Sequence, residues 1–134
     1  RGLGDVYKRQ ALQMKDARSE DYIACKAGYR APYLCDAVEQ VLSGSLDLVG
    51  IAALPDDELI SALEHVKGVG VKVANCVALF AYGRTACAPV DTWIKKIIRQ
   101  EYQGRDPFVR YGDTAGIMQQ YFFYYAQNHK SETA

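Results

Sequence analysis

The chain has 134 residues, 49% hydrophobic and 24% charged, with 16 basic side chains balancing 16 acidic ones. That length supports one folded domain with a core and is short for two. The composition excludes a disordered chain, and the longest apolar run, 73–82, is far below the roughly 20 residues of a bilayer span.

Residues 1–10, RGLGDVYKRQ, resemble translated sequencing-adapter sequence and are set aside as a non-native leader, so the chain is expected to be a C-terminal fragment. The fold is expected over 11–130, with a hairpin at 66–74 and a tail at 131–134. Ser19 is placed to N-cap a helix over 20–26, which Ala27-Gly28 ends. A second helix is predicted over 31–42, with Leu34, Val38, Val41 and Leu42 at helical spacing and Gly44 as the stop. Residues 46–53 read as a short turn or helix. Pro55-Asp56-Asp57-Glu58 then starts a helix, its carboxylates facing the positive helix end, with Leu59, Ala62, Leu63 and Val66 on one stripe. Lys67-Gly68-Val69-Gly70 is long enough only for a tight turn, and a helix follows from Val71 to about Tyr82. After a loop at 83–89, Asp91 caps a helix reaching about Tyr102, and a last helix covers 114–128. The expected class is all-α.

Cys25, Cys35, Cys76 and Cys87 show neither metal-ligand nor iron–sulfur spacing, and read as reduced thiols of a cytoplasmic protein. Charge is neutral overall but uneven. From His65 to Gln100, Lys67, Lys72, Arg84, Lys95, Lys96 and Arg99 face Asp91 alone, a patch suited to a phosphate backbone or to a solvated helix face.

In HVKGVGVKVANC two helices meet through Gly-Val-Gly. So short a turn calls for positive φ, which Gly takes without steric cost. Without side chains at Gly68 and Gly70, the backbone N–H groups lie open at the positive end of the next helix, which makes a phosphate site. A purely structural turn is the alternative. Lys72 stands in the first turn of that helix, where the macrodipole disfavours a cation and favours the neutral amine a nucleophile must be. Asp91 follows 19 residues later. The helix between them is about 18 Å long, and the loop can extend about 26 Å, so the chain can bring the two together. Spacing alone leaves Asp91 equally readable as a plain N-cap.

KGVGVKVANC followed by APVDTW resembles the helix-hairpin-helix DNA glycosylases, in which a hairpin Lys and the Asp of a P-V-D turn are the catalytic pair. The resemblance implies that Lys72 displaces a damaged base and forms a Schiff base that eliminates the strand. It implies that Asp91 stabilises the oxocarbenium-like transition state. Within that family the likeness is to the 8-oxoguanine branch, especially its bacterial forms. AGYRAPYL carries over Tyr29 as a wedge into the duplex and Arg30 as a contact to the estranged cytosine; alone they would read as a helix-entry aromatic and a surface charge. TAGIMQQYFFYYAQ carries over Gln119 and Phe123, four apart on one helix face, as the amide and ring of a flipped-base pocket. The other aromatics of Tyr121–Tyr125 read as buried. Cys76, one turn after Lys72, lines the pocket in relatives, or is simply a small buried thiol. The DNA-binding set is completed by Gly68, Gly70 and Val73 of the hairpin. Lys67 stands where the family has Pro, and Trp93 where animal relatives have His.

The resemblance implies no cofactor and no side-chain metal site, with at most a monovalent cation held by the hairpin backbone. The expected partner is double-stranded DNA with a damaged base, bound by a monomer in a bacterial cytoplasm near the nucleoid, with no membrane association. Two other functions stay open at this point. One is a bifunctional glycosylase for another oxidised base, and the other a DNA-binding fragment without activity.

Overall fold

The computed structural model describes residues 11–128; the expected leader and tail lie outside them. The described residues are helical without strands, as expected, and none of their helices is long and apolar enough to cross a membrane. The helices are α1 (Ser19–Ala24), α2 (Ala31–Ser43), α3 (Asp56–Glu64), α4 (Val71–Ala81), α5 (Thr92–Glu101) and α6 (Ala115–Asn128), with single 3₁₀ turns between several of them. They sort into two compact units, one of residues 11–53 with 65–68, the other of 54–64 with 69–128.

In the first unit the start of α1 differs from expectation. Ser19 is the first helical residue, and Arg18 is the cap. The Arg18 N–H donates to the Asp21 carboxylate at 2.8 Å, so a carboxylate three residues in satisfies the N–H of the cap residue. The Ser19 hydroxyl lies 3.6 Å from the Cys35 thiol instead. Helix α2 carries its N-terminal Pro32 where a missing N–H costs nothing, and Gly44 ends it in the left-handed region at φ 77°. Its expected apolar stripe is only partly buried. Ala31 and Val38 are in the core, whereas Leu34 and Leu42 are exposed. The opposite edge of α2 grips residues 65–68. The Asp36 carboxylate accepts from the Lys67 N–H at 2.8 Å and from the Gln40 amide at 2.8 Å, and Gln40 also donates to the His65 carbonyl.

In the second unit α3 buries Leu59 and Leu63 and packs on α4, whose Ala74 and Ala78 are fully buried. Small residues on that face let the backbones approach. The loop after α4 is pinned by Arg84, whose guanidinium reaches the Asp56 carboxylate at 3.2 Å and the Leu54 carbonyl at 3.0 Å. Buried Cys87 follows; burial above all, and then the Asp56 charge, push its thiol up, against the opposing pull of Arg84. Helix α6 enters through Gly116, whose N–H donates to the Thr85 carbonyl at 2.7 Å. A Cβ there would collide with the Cys87 carbonyl, so only Gly permits this approach. Ile94 and Ile97 of α5, with Phe108 and Ala115, form the centre of a core against which Phe122 and Phe123 of α6 pack. The aromatic run does not sink as a block: Tyr121, Tyr124 and Tyr125 are exposed, because five consecutive residues span a full helical turn and one face alone can be buried.

Candidate active site

The hairpin turn treats its two glycines differently. Gly68 takes φ 83°, as expected of a tight turn, and a Cβ on it would fall into the Tyr33 ring. Gly70 is extended at φ −104°, ψ 177°, and serves as N-cap of α4. It therefore needs no positive φ, contrary to the sequence expectation; a Cβ there would meet open space. What Gly70 supplies is an unobstructed approach to the first turn of α4.

Lys72 lies in that first turn and its side chain is exposed. Asp91 is the N-cap of α5: it is extended, and its Oδ1 accepts from the Ile94 N–H at 2.9 Å. The N-cap reading of this residue therefore holds, and one oxygen serves it. Among the described residues no donor engages the other oxygen. Lys72 and Asp91 line one pocket of about 150 Å³, together with Cys76, Gln119 and Phe123. The five residues come from α4, the start of α5 and α6, and the packing of α6 on α5 brings Gln119 to the others. Gln119 is 3% exposed, the buried polar residue of the described core.

Three further wall residues were not foreseen: Phe80, Pro89 and Gln120. Phe80 could have been found, because it continues the Lys72, Cys76 series by one more helical turn. Pro89 and Gln120 carry no such signal. Lys72 also borders a second hollow of about 420 Å³, lined by Gly70, Val71, Val73, Lys95 and the loop residues Ala88 and Val90. The lysine thus stands between a small pocket with one amide-and-ring face and a larger hollow along the start of α4. The remaining candidates, Tyr29, Arg30 and Gly68, belong to the other unit. Tyr29 is 72% exposed, with the Arg30 guanidinium 4.9 Å above its ring and the Tyr33 ring edge-on at 6.3 Å. No three His, Cys, Asp or Glu side chains gather among the described residues, so a cation at the hairpin would have to be held by main-chain oxygens.

Known proteins share this fold and part of its sequence. A 8-oxoguanine glycosylase/lyase of Clostridium acetobutylicum, crystallised with double-stranded DNA containing cytosine opposite 8-oxoguanine, superposes with a TM-score of 0.82 and 34% identity over 90% of this chain. The described residues have the all-helical fold of the helix-hairpin-helix DNA glycosylases. A second glycosylase-fold structure, MBOgg1 in complex with a low-affinity DNA ligand, matches with a TM-score of 0.83 and 31% identity over 93% of the chain. Among curated glycosylases, the "Probable N-glycosylase/DNA lyase" of Methanothermobacter thermautotrophicus is 31% identical over 93% of the chain. No family model matches. The chain spans less than half of these relatives, 43% of the archaeal protein, 45% of the clostridial chain and 49% of MBOgg1.

Proposed function

We propose that the protein is a base-excision DNA glycosylase with lyase activity, removing 8-oxoguanine from duplex DNA. The observation that carries the reading is the gathering of Lys72, Asp91, Cys76, Gln119 and Phe123 around one pocket. At about 150 Å³ it is half the lower end of ordinary small-molecule sites, about 300 Å³, which suits a lone heterocycle. A flipped base would stack on Phe123 and offer its edge to Gln119. Its sugar would then stand at Lys72, and its phosphate in the groove beside Gly70 and Lys95.

On this reading the neutral Lys72 amine attacks C1′ as the bond from C1′ to the base breaks, and the base leaves with a proton. The open Asp91 oxygen faces the positive charge that develops on the sugar. Opening of the ring leaves an imine between Lys72 Nζ and C1′; loss of a C2′ proton then expels the 3′ phosphate and cuts the strand. Residues 11–130 would form part of the glycosylase domain, and duplex DNA would be the partner.

Borohydride reduction traps such an imine as a stable amine. The full chain, incubated with a duplex carrying 8-oxoguanine opposite cytosine, is expected to form a covalent adduct that Lys72→Gln abolishes. An adduct that survives Lys72→Gln refutes the nucleophile. Trapping only on a different oxidised base refutes the substrate. Salt-sensitive binding without any adduct refutes catalysis by this chain and leaves a DNA-binding fragment.

A further inference from the structure

Lys72 borders two hollows, and α5 supplies them with charges of opposite sign. Asp91, at the start of α5, lines the pocket of about 150 Å³ with Cys76, Gln119 and Phe123. Lys95, one turn further along the same helix, lines the hollow of about 420 Å³ with Gly70, Val71 and Val73. Asp91 is absent from the walls of the second, and Lys95 from those of the first. Among the described residues no carboxylate lines the larger hollow, whose charged walls are Lys72 and Lys95.

An Asp four residues before a Lys is well placed on a helix for an ion pair. Yet Asp91 commits one oxygen to the Ile94 N–H, and Lys95 has no ion-pair or hydrogen-bond partner among the described residues. The exposed Lys95 side chain thus brings an uncompensated charge to the hollow it shares with Lys72. Two amines of like charge in one hollow repel unless an anion lies between them.

Lysine-mediated base removal and strand cleavage develop charge of opposite signs. As the base leaves, positive charge grows on the sugar, which a carboxylate stabilises and a cation opposes. When the strand is cut, the C2′ proton goes to solvent and its electron pair becomes the second C2′–C3′ bond, while the C3′–O bond breaks. The electrons of that broken bond stay on the phosphate, which turns from a singly charged diester into a terminal monoester of about −1.5 to −2. A cation held against that oxygen stabilises the cut and not the base removal.

We propose that Lys95 binds the 3′ phosphate of the extruded nucleotide and stabilises it as the leaving group of strand cleavage. This rests on the glycosylase reading and divides its two steps between neighbouring turns of α5, Asp91 serving base removal and Lys95 the cut. The 5′ phosphate is never a leaving group, so a lysine bound there would act on both steps alike.

The test follows single turnovers of the full chain, at saturating protein, on a duplex carrying 8-oxoguanine opposite cytosine. Hot alkali cuts wherever the base has gone, whereas cuts present before alkali report elimination alone. The ratio of direct cutting to base release is expected to fall about 10-fold in Lys95→Gln, less than the roughly 100-fold of an enclosed donor because Lys95 is exposed to water. Lys95→Arg keeps the charge and should recover most of the ratio. Both rates come from the same folded molecules, so the ratio is insensitive to a loss of folded protein. An equal loss in both rates, or a parental ratio in Lys95→Gln, overturns the proposal. A parent chain that cuts only abasic-site duplexes refutes the substrate, and Lys95 is then judged there by cutting against borohydride trapping, which reports the imine alone. A parent that neither releases the base nor cuts abasic sites refutes the glycosylase reading, and the role of Lys95 with it.

Discussion

Adding one methyl group to each hairpin glycine should separate stability from DNA binding. In Gly68→Ala the new Cβ must occupy a φ of 83° and displace the Tyr33 ring. The left-handed conformation costs about 1–2 kcal/mol for a residue with a Cβ. Forcing a carbon into an aromatic neighbour costs about 1–3 kcal/mol more. Together the loss is about 2–5 kcal/mol, a large share of the roughly 5–15 kcal/mol that holds a domain folded. In urea unfolding followed by circular dichroism, the midpoint should fall by about 1–3 M for a slope of about 2 kcal/mol per molar. Gly70→Ala is the contrast. Its φ of −104° suits any residue and its Cβ would meet nothing within 4 Å, so its stability cost should stay below about 1 kcal/mol. Its methyl would instead stand in the groove beside Lys72 and Lys95, and should weaken binding to duplex DNA. A double-mutant cycle sharpens the point. In a Tyr33→Ala background the packing part of the Gly68→Ala cost should vanish and the backbone part remain. Equal stability costs for the two glycine variants would refute the reasoning, as would a Gly68→Ala cost indifferent to Tyr33.

Two other predictions follow from single contacts. Asn is as good an N-cap as Asp, so Asp91→Asn should melt near the parent while slowing base excision by about 100-fold or more, the scale of losing one preorganised electrostatic partner. Asp91→Ala should slow excision similarly and lose a further ~1 kcal/mol of stability; parental single-turnover rates in Asp91→Asn would sink the assigned role. Burial raises the Cys87 thiol above its ordinary value, so as pH passes about 8.5 the unfolded chain releases this proton while the folded chain keeps it. Stability should therefore fall by up to about 1.4 kcal/mol per pH unit from this group until the folded thiol also ionises. In Cys87→Ala the melting temperature should be lower at neutral pH but decline less between pH 8 and 10; an unchanged decline would show that Cys87 does not contribute.

Much of the fold was legible because its signals are local. Gly44 stops α2, Pro55 precedes α3 and the acidic run forms its first turn, and Asp91 caps α5, each through groups within four residues of one another. Periodicity placed Lys72 and Cys76 on one face of α4, and Gln119 and Phe123 on one face of α6. Resemblance, not periodicity, paired those two faces. Expectation failed at the start of α1 and along α2. Ser19 lost the cap position to the Arg18 backbone and the Asp21 carboxylate. Leu34 and Leu42 stayed exposed although they share a helical face with buried Ala31 and Val38.

The sequence by itself determined the helices, the tight Gly-Val-Gly turn and the chemical types available: an amine, a carboxylate, an amide and a ring. These depend on backbone sterics and on hydrogen bonds between near neighbours, which a sequence displays directly. Only the tertiary structure decided that Gly68 is indispensable to the turn while Gly70 keeps an approach open, since the difference lies in a Tyr33 ring 35 residues away. Only it decided that Phe80 and Gln120 join the pocket and that Tyr121, Tyr124 and Tyr125 do not enter the core. Helical spacing states which residues share a face, but what that face meets is set by packing against distant parts of the chain.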